Sequence, residues 1–405
     1  MKVCIFTHTF PRYSGDTAAP FMDGVAASIE KTGSRVYVLT PFSGLFDKIK
    51  RPYKLITYKY VYPNSLHKLG YSETLSNDKK LKPLSLILSP FMYLFGTIAL
   101  CKLVKREKID VINAHWILPN GFMACIVSKL TGVPVVSSLP GSDVYMADRN
   151  LLFRSMAKFA TSASTAITSN SPQLMADLRE LTGVKEVDFS PIIYGVNPNK
   201  FAPSKKGQNN VRKRLNIARN TSVVVGVGRL VAKKGFKFLI QAAPLILKKF
   251  PNVTFVVVGD GDERKSLEKL VKKFNVDESF RFTGSIDYED LIYYYNLADI
   301  FILPSIRDEE GNLDDQSVSV IEAMACGKPV VTTNFPGYKL VVDNGVNGYL
   351  IPQKNSAEIS ESINKILGSK SLRTAMGKKS RELVVNRFSW NNVGRQYNNL
   401  FKKIV

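Results

Sequence analysis

Cysteine, histidine and tryptophan are scarce in this chain of 405 residues, which has four, three and two of them respectively. Cys4, Cys101, Cys125 and Cys326 lie far apart and form no C-x-x-C pair, so the sequence predicts neither a disulfide framework nor a zinc site. Free thiols are the state expected in a reducing cytosol. We therefore expect a cytoplasmic protein without a zinc site, and we also predict no other metal and no cofactor.

Several sequence signatures are also absent. The amino-terminal MKVCIFTHTFPR has an apolar run too short for a signal-peptide core, so export is not expected. No dinucleotide-binding fingerprint G-x-G-x-x-G is present, which argues against a dehydrogenase.

The chain is strongly basic: it has 34 acidic residues and 56 basic ones, and both halves share the resulting net charge of +22. This charge favours a polyanionic substrate or an anionic membrane, and no nucleic-acid-binding signature supports a third class of partner.

One long apolar stretch, LSLILSPFMYLFGTIALCKLV, runs from Leu84 to Val104 and is long enough to cross a bilayer. Pro90 interrupts it and an ordinary strand pattern follows, so a buried or surface-docked helix is expected in place of a span. Peripheral contact with an anionic membrane, at the inner face of the cell membrane, is an open alternative. It would use the basic residues that flank the stretch, Lys79, Lys80, Lys82, Lys102, Lys105 and Arg106.

Short apolar runs alternate with helix-length segments along the whole chain. The runs are KVCIFT, RVYVLT, IDVINAH, PVVSSL and STAITSN in the first half, then SVVVGVG, VTFVVVGD, FRFTGS, DIFILPS and PVVTT in the second. This alternation predicts an α/β fold with two doubly wound parallel sheets covered on both faces. The polar segment NPNKFAPSKKGQNN reads as a linker, so we expect domains at residues 1–201 and 202–388.

The segment Pro304–Thr333 carries the strongest signal for chemistry, because it reads as strand, acidic loop, helix and strand. Ligands of open parallel sheets bind beyond the carboxyl ends of strands, so Asp314 and the start of the helix should face a binding site. Glu322 follows Asp314 by eight positions, at most about 12 Å at helical rise, which is about the length of a nucleotide-sugar. One carboxylate would hold sugar hydroxyls and the other ribose hydroxyls, while amides near Ser317 and Val318 face a diphosphate. Capping of the helix is the alternative role for Asp314.

This stretch resembles the donor site of the retaining family 4 glycosyltransferases, whose fold is the two-domain GT-B type. That family carries Glu, seven residues, Glu and then Ala-Met-Ala-x-Gly-x-Pro-Val-Val. Here AMACGKPVV matches, Glu322 is the second acid and Asp314 replaces the first. The resemblance implies two Rossmann-like domains facing an interdomain cleft. The first would bind the acceptor and the second the nucleotide-sugar, and a last helix, in residues 389–405, would cross back to the first.

A second match is GRLVAKKGFKFLI, which follows SVVVGV and fits the family's GRL-x-x-x-KG pattern completely. The resemblance implies that Arg229 and Lys234 hold the donor diphosphate. Fixed cations stabilise the charge that builds on a departing nucleoside diphosphate, so no metal is necessary. Gly259 ends the next strand in a turn that lies near the nucleotide in relatives, although tight-turn geometry alone would explain this glycine.

The first half carries weaker matches. FPRYSGDTAAPF resembles the family's loop after the first strand, with Gly15 allowing close backbone approach by phosphate or acceptor. AHWILPNG supplies His115 and SLPGSDVY supplies Asp143 as catalytic candidates, with core packing as the equal alternative for His115. Relatives usually have a histidine directly before Gly-Ser-Asp, where this chain has Pro140, which donates no hydrogen bond. Lys339 stands where the family usually has an acid.

The resemblance therefore predicts a retaining, metal-independent hexosyltransferase. It would move a hexose from a nucleotide diphosphate sugar, with a UDP-sugar favoured, to a glycan or lipid-linked acceptor in surface polysaccharide or glycoconjugate synthesis. Pro140 and Asp314 motivate an alternative, a catalytically impaired relative that binds nucleotide-sugar or glycan as a scaffold.

Overall fold

The computed structural model describes residues 1–13, 15–16, 18–47, 49–70 and 83–405, and of Pro83, Ser142, Asp143 and Tyr145 it describes the backbone. The strands are β1 Lys2–Phe6, β2 Arg35–Pro41, β3 Lys54–Tyr58, β4 Val111–His115, β5 Val135–Leu139, β6 Ala166–Ser169, β7 Asp188–Pro191, β8 Ser222–Val227, β9 Val253–Val258, β10 Phe280–Phe282, β11 Ile300–Leu303, β12 Val330–Thr333 and β13 Gly348–Ile351. The α-helices are α1 Phe21–Glu30, α2 Pro83–Glu107, α3 Phe122–Thr131, α4 Ser142–Ala147, α5 Leu151–Ala163, α6 Pro172–Thr182, α7 Gln208–Arg214, α8 Phe236–Lys249, α9 Arg264–Lys273, α10 Leu291–Leu297, α11 Val318–Ala325, α12 Ser356–Leu367, α13 Lys370–Leu383 and α14 Trp390–Ile404.

The chain divides into two compact units. Unit 1 comprises Met1–Gly195 together with Trp390–Val405, and unit 2 comprises Val196–Ser389. The polar segment around Ala202, which the sequence suggests as a linker, lies within unit 2. The chain therefore enters unit 2 once and returns to unit 1 for its last helix.

The last helix, α14, packs against α1 within unit 1 through small residues on both helices. A Cβ atom on Gly24 of α1 would overlap the ring of Trp390, and one on Gly394 of α14 would overlap the backbone carbonyl of Ser28. Glycine at these two positions is what allows the helices to approach this closely. Tyr397 of α14 is also buried, within hydrogen-bonding reach of Ser138 and Thr168 of the unit 1 sheet.

Unit 1 holds a parallel sheet with the described strands in the order β3-β2-β1-β4-β5-β6-β7. The apolar runs in the sequence predict the five inner strands. The two edge strands, β3 and β7, were missed because they are half exposed and carry no continuous apolar run. Burial on both faces is what makes a parallel strand readable from sequence.

Unit 2 holds a second parallel sheet, whose described strands follow the order β10-β9-β8-β11-β12-β13. The sequence predicts all of these strands except the edge strand β13, which is half buried. The predicted α/β class with two parallel sheets is thus confirmed. Because every strand in a sheet runs the same way, the loops after the strands meet at one edge, where ligands of such sheets bind.

Helix α2 covers one face of the unit 1 sheet and is apolar on all sides as far as Cys101, beyond which it carries basic residues. Its inner residues, including Leu88, Met92 and Leu100, are at most 5% exposed and belong to the core of unit 1. Within the described residues it is the one helix long and apolar enough to cross a membrane, over Leu84–Glu107. Its most apolar 18-residue window has a mean hydropathy of 1.9 and is 28% buried. Its other face is exposed.

Candidate functional site

A buried lysine lies at the carboxyl edge of the unit 2 sheet. Lys234 ends the helical turn Ala232–Lys234 that follows β8, and it is 8% exposed. Its Nζ donates hydrogen bonds to Oδ2 of Asp314 at 2.8 Å and to Oγ of Ser317 at 3.2 Å. Because β8 and β11 are neighbours in the sheet, the turn after β8 meets the loop after β11. The fold thus joins a cation to a carboxylate 80 positions away and to the start of α11.

Burial and the attraction between the two partners shift the pKa values of this ion pair in opposite directions. Burial lowers the pKa of Lys234, the charge of Asp314 opposes that effect, and repulsion from Lys233 and Arg229 adds to it. Burial raises the pKa of Asp314, but the charge and hydrogen bond of Lys234 outweigh it and the net shift is downward. Arg229 itself is exposed. The effects of Lys233 and Arg229 on Lys234 indicate that both cations lie near it at this strand end.

Two further side chains hold the carboxylate of Asp314. Oδ2 accepts hydrogen bonds from the hydroxyl of Ser305 at 3.2 Å and from that of Tyr338, also at 3.2 Å. The interpretation of Asp314 as the cap of α11 is wrong, because Ser317 occupies the N-cap position and Asp314 binds Lys234 instead. Sequence reasoning missed Ser305 and Tyr338, since no motif spacing links them to the acid.

The loop that carries Tyr338 packs against the loop of Asp314. The backbone N–H of Gly337 donates to Oδ2 of Asp315 at 3.2 Å, and a Cβ atom on Gly337 would overlap the Asp315 carbonyl. This close contact places Tyr338 in a fully buried position and leaves Lys339 exposed. Lys339, which stands where the family usually has an acid, thus directly follows Tyr338, which contacts Asp314.

The amino terminus of α11 lies beside Lys234. The side chain of Ser317 does not cap the helix, and its Oγ instead lies 3.0 Å from Oγ of Ser319 and accepts from Lys234. Val318, the first helical residue, is half buried. A helix start carries partial positive charge, so it adds to the positive potential of the lysine.

Glu322 has a different setting on the same helix. It is 3% exposed, and its two carboxylate oxygens accept hydrogen bonds from Tyr288 at 2.8 Å and from Tyr295 at 2.6 Å. Burial raises the pKa of Glu322 to about 7, although both tyrosines and the charge of Lys200 act in the opposite direction. The structure therefore brings Lys234 and Asp314 together and assigns Glu322 to a separate tyrosine pair, which the sequence did not predict.

Gly259 follows β9 at the same edge. Its φ is 133°, and a Cβ atom there would overlap the carbonyl of Gly228, at the end of the neighbouring strand. The turn requires glycine for steric reasons alone. A nucleotide contact at Gly259 stays a prediction.

In unit 1, His115 is the last residue of β4 and is fully buried. Its Nε2 lies 3.0 Å from Oδ1 of Asn113, while its Nδ1 has no hydrogen-bond partner among the described atoms. Burial lowers the pKa of His115 to about 3, so the imidazole is neutral at physiological pH. At this position the neutral imidazole can form hydrogen bonds but carries no positive charge.

The turn after His115 joins it to a second histidine. Nδ2 of Asn120 lies 2.9 Å from Nδ1 of His8 and donates to the backbone carbonyl of His115 at 2.6 Å. Trp116, between them in the turn, has a φ of 71°, and its ring centroid lies 4.7 Å from that of His8. Burial lowers the pKa of His8 to about 4. A backbone held in this unfavourable region is often found at functional sites.

The remaining unit 1 candidates are less well connected. Gly15 has a φ of 85°, and no described atom lies within 4 Å of where its Cβ would be, so among the described residues its conformation and not a close approach favours glycine. A buried ion pair between Arg12 and Asp16, at 2.7 Å, holds the same loop. Asp143 belongs to α4, and its side chain lies outside the described part of the chain.

The cysteines and potential metal ligands are dispersed. All four cysteines are free, as the sequence predicts. In the described portion of the chain, no group of three or more His, Cys, Asp or Glu side chains is arranged to hold a metal ion.

Comparison with known proteins finds glycosyltransferases for both halves of the chain. The family model of glycosyl transferases group 1 matches residues 207–383, and a glycosyl transferase 4-like model matches residues 66–171. A GDP-mannose-dependent monoacylated alpha-(1-6)-phosphatidylinositol monomannoside mannosyltransferase of Corynebacterium glutamicum is 26% identical over 75% of this chain and 79% of its own length.

Solved structures of similar fold include sucrose-phosphate synthase from Thermosynechococcus elongatus, with a TM-score of 0.77 and 21% identity over 100% of this chain and 99% of that one. The HepE protein of Anabaena in complex with UDP has a TM-score of 0.75 and 19% identity, over 100% of both chains. The chain belongs to the group 1 glycosyltransferases and has their GT-B type of fold. The resemblance read from the sequence is confirmed.

Proposed function

We propose that the chain is a retaining glycosyltransferase that moves a hexose from a nucleotide diphosphate sugar, with a UDP-sugar favoured, to a hydroxyl group of a glycan or lipid-linked acceptor. The observation that carries the proposal is the contact of Lys234 with Asp314 and Ser317 at the start of α11. A buried cation beside the positive end of a helix is an arrangement that favours a diphosphate.

The chemistry of transfer explains why such a group is needed. When the sugar leaves, negative charge builds on the diphosphate, and fixed positive groups in a water-poor site stabilise it. Lys234 and the α11 amides supply this charge, and Arg229 adds a second cation at the same strand end. In this proposal no metal ion is required. Asp314 keeps Lys234 in place and paired until donor phosphate takes over part of its hydrogen bonding.

Glu322 is proposed to bind the ribose hydroxyls of the donor. Tyr288 and Tyr295 each donate to one of its oxygens, and a carboxylate oxygen accepts more than one hydrogen bond. The two tyrosines thus fix the orientation of the carboxylate while leaving it acceptor capacity. Gly259, in the turn after β9, is the proposed neighbour of the nucleotide.

Unit 1 is proposed to bind the acceptor, with His115 and Asp143 as the catalytic candidates and Gly15 in the loop after β1. Because Pro140 donates no hydrogen bond, neutral His115 is the proposed contact of the transferring sugar or the acceptor. Its one N–H, on Nε2, donates to Oδ1 of Asn113, so Nδ1 would accept from a hydroxyl group of the ligand. The donor phosphate itself would take the proton of the acceptor hydroxyl. The setting we propose is cytoplasmic synthesis of a surface polysaccharide or glycoconjugate.

Thermal unfolding with a panel of nucleotides tests donor binding. A nucleotide at about 100 times its dissociation constant should stabilise the protein by about 2.7 kcal/mol. The panel compares UDP, UDP-glucose, GDP and GDP-mannose, and UDP compounds should give the larger shifts. Lys234→Ala should abolish the stabilisation, whereas Lys237→Ala, on α8, should leave it intact. Absence of stabilisation by every nucleotide, or equal stabilisation of the two variants, would refute the donor site.

The configuration of the product tests retention. With an α-linked donor, the anomeric proton of the new glycoside should have the coupling constant of an α-linkage in NMR. Addition of a chelator should leave the rate unchanged if no metal takes part. The scaffold alternative, motivated by Pro140 and Asp314, predicts nucleotide stabilisation without transfer of the sugar to any acceptor or to water, and therefore without release of nucleoside diphosphate.

A further inference from the structure

The outer face of α2 carries a stripe of apolar side chains that no part of the described chain covers. Each of these residues is between 39% and 67% exposed: Leu84, Leu86, Ile87, Phe91, Leu94, Phe95 and Ile98. From Leu84 to Ile98 the stripe is roughly 21 Å long at helical rise. Its exposed surface is on the order of 600 Å², at the upper end of what soluble monomers leave in one patch.

The same stripe becomes basic towards the carboxyl end of the helix. Residues at intervals of three or four lie on one face of a helix, as do Ile87, Phe91, Leu94 and Ile98. The next positions on this face carry positive charge. These are Lys102, Lys105 and Arg106, all exposed, followed by exposed Lys108. An apolar face that ends in a basic cluster matches the surface of a bilayer that contains anionic lipid.

The helix is seated firmly on unit 1, which argues against a membrane span. A Cβ atom on Gly96 would lie 2.9 Å from the sulfur of Met123 and 3.0 Å from the hydroxyl of Tyr58, so the backbone approaches both side chains closely. The inner residues Leu88 and Leu100 are at most 5% exposed. Crossing a bilayer would require these core contacts to break, whereas lying in its surface would not.

The apolar end of α2 lies at the end of unit 1 that carries the candidate acceptor residues. Helices that connect parallel strands run opposite to them, so the amino-terminal end of α2 lies towards the carboxyl edge of the sheet. His115, the last residue of β4, is at that edge. Helix α5, which precedes β6, starts at the same edge with Leu151 and Leu152, 78% and 66% exposed.

We propose that the exposed face of α2 docks unit 1 onto the surface of an anionic membrane, with the helix lying in the plane of the interface. This docking presents the carboxyl edge of the unit 1 sheet to an acceptor embedded in the same membrane. The inference about the acceptor rests on the proposed function, whereas the docking itself does not.

Vesicle flotation of the full chain tests the docking. The wild-type protein should bind phosphatidylcholine vesicles with about 30 mol% phosphatidylglycerol at least about tenfold more tightly than pure phosphatidylcholine, and salt should weaken the binding. The triple variant Ile87→Ser, Phe91→Ser and Leu94→Ser should lose binding by about 100-fold. These side chains are exposed, so folding should be retained, as circular dichroism checks. The matched control, Leu245→Ser with Val346→Ser on unit 2, should bind as wild type does.

Further measurements separate the alternatives. Substitution of Lys102, Lys105 and Arg106 by glutamine should remove the preference for anionic vesicles. Failure of the wild type to float, equal flotation of the triple variant, or resistance to alkaline carbonate extraction as a spanning protein would overturn the proposal. So would a wild-type dimer that the triple variant converts to monomers without any change in flotation.

A soluble acceptor distinguishes docking from catalysis. The triple variant should keep the wild-type rate of donor hydrolysis or of transfer to a water-soluble acceptor, because α2 contributes no group to the donor site. Flotation without donor turnover would refute the proposed function and leave the docking surface standing. Turnover without flotation would refute the docking alone.

Discussion

Replacement of Glu322 by glutamine should change how the stability of the protein depends on pH. Glu322 is 3% exposed and hydrogen-bonded by two tyrosines, and burial raises its pKa from 4.5 to about 7. A carboxyl group with a raised pKa holds its proton more tightly in the folded state than in the unfolded one. Stability from this group is therefore fully present below pH 4.5 and is lost as pH rises to about 7.

The size of the effect follows from the same shift. Full ionisation of Glu322 lowers the free energy of unfolding by about 3 kcal/mol. About 2 kcal/mol of this is lost between about pH 5.5 and about pH 8. Glutamine does not ionise, so the variant lacks this loss. A separate effect lowers the stability of the variant by about 1 kcal/mol at every pH, because the amide nitrogen of glutamine cannot accept the hydrogen bond that one of the tyrosine hydroxyls donates to Glu322. From about pH 5.5 to about pH 8, Glu322→Gln should therefore gain about 2 kcal/mol relative to wild type.

Urea unfolding followed by far-UV circular dichroism measures this difference. Tryptophan fluorescence is unsuitable, because Trp116 and Trp390 both lie in unit 1 whereas Glu322 lies in unit 2. Hydrogen exchange of peptides from α10 and α11 gives a readout specific to the unit. Glu278→Gln, on the exposed surface of unit 2, is the matched control and should follow the wild-type profile.

An equal stability difference between wild type and Glu322→Gln at both pH values would refute the raised pKa of Glu322. That outcome would mean that Glu322 ionises as an ordinary surface carboxylate does. A wild-type protein that gains stability relative to the variant as pH rises would contradict the sign as well as the size.

Three further predictions concern the same edge of the unit 2 sheet. Lys234→Ala should lower the rate of sugar transfer by about 10²-fold or more, while Lys237→Ala leaves it within about twofold, as a steady-state assay of nucleoside diphosphate release would show. Tyr338→Phe removes one hydrogen bond to the carboxylate that holds this lysine, so unfolding should become easier by about 1 kcal/mol, and an unchanged urea midpoint would contradict the assigned contact. Gly259→Ala should destabilise the protein by about 2 kcal/mol or more, because its methyl group overlaps a carbonyl, whereas Gly33→Ala, also at positive φ but in open space, should have the smaller effect in the same unfolding assay.

The sequence alone predicts the inner strands and the motifs at their ends. Each inner strand is buried on both faces, so its apolar run is continuous and visible. The positions of Lys234 and Asp314 at two strand ends follow from this pattern together with the family motifs. The three missed strands are all edge strands, where one side of the strand lacks a neighbour and the apolar signal fades.

The surroundings of each candidate residue required the tertiary structure. The carboxylate of Glu322 is held by Tyr288 and Tyr295, which lie 34 and 27 positions from it in the chain. That of Asp314 is held by Tyr338, 24 positions away. Such distances carry no local signal, because side-chain periodicity reports only which face of its own helix or strand a residue occupies. Nor does an evenly apolar helix such as α2 reveal which of its sides the core covers. The sequence therefore determines which residues end the strands, and the packing of distant segments decides which groups those residues contact and which surface is left exposed.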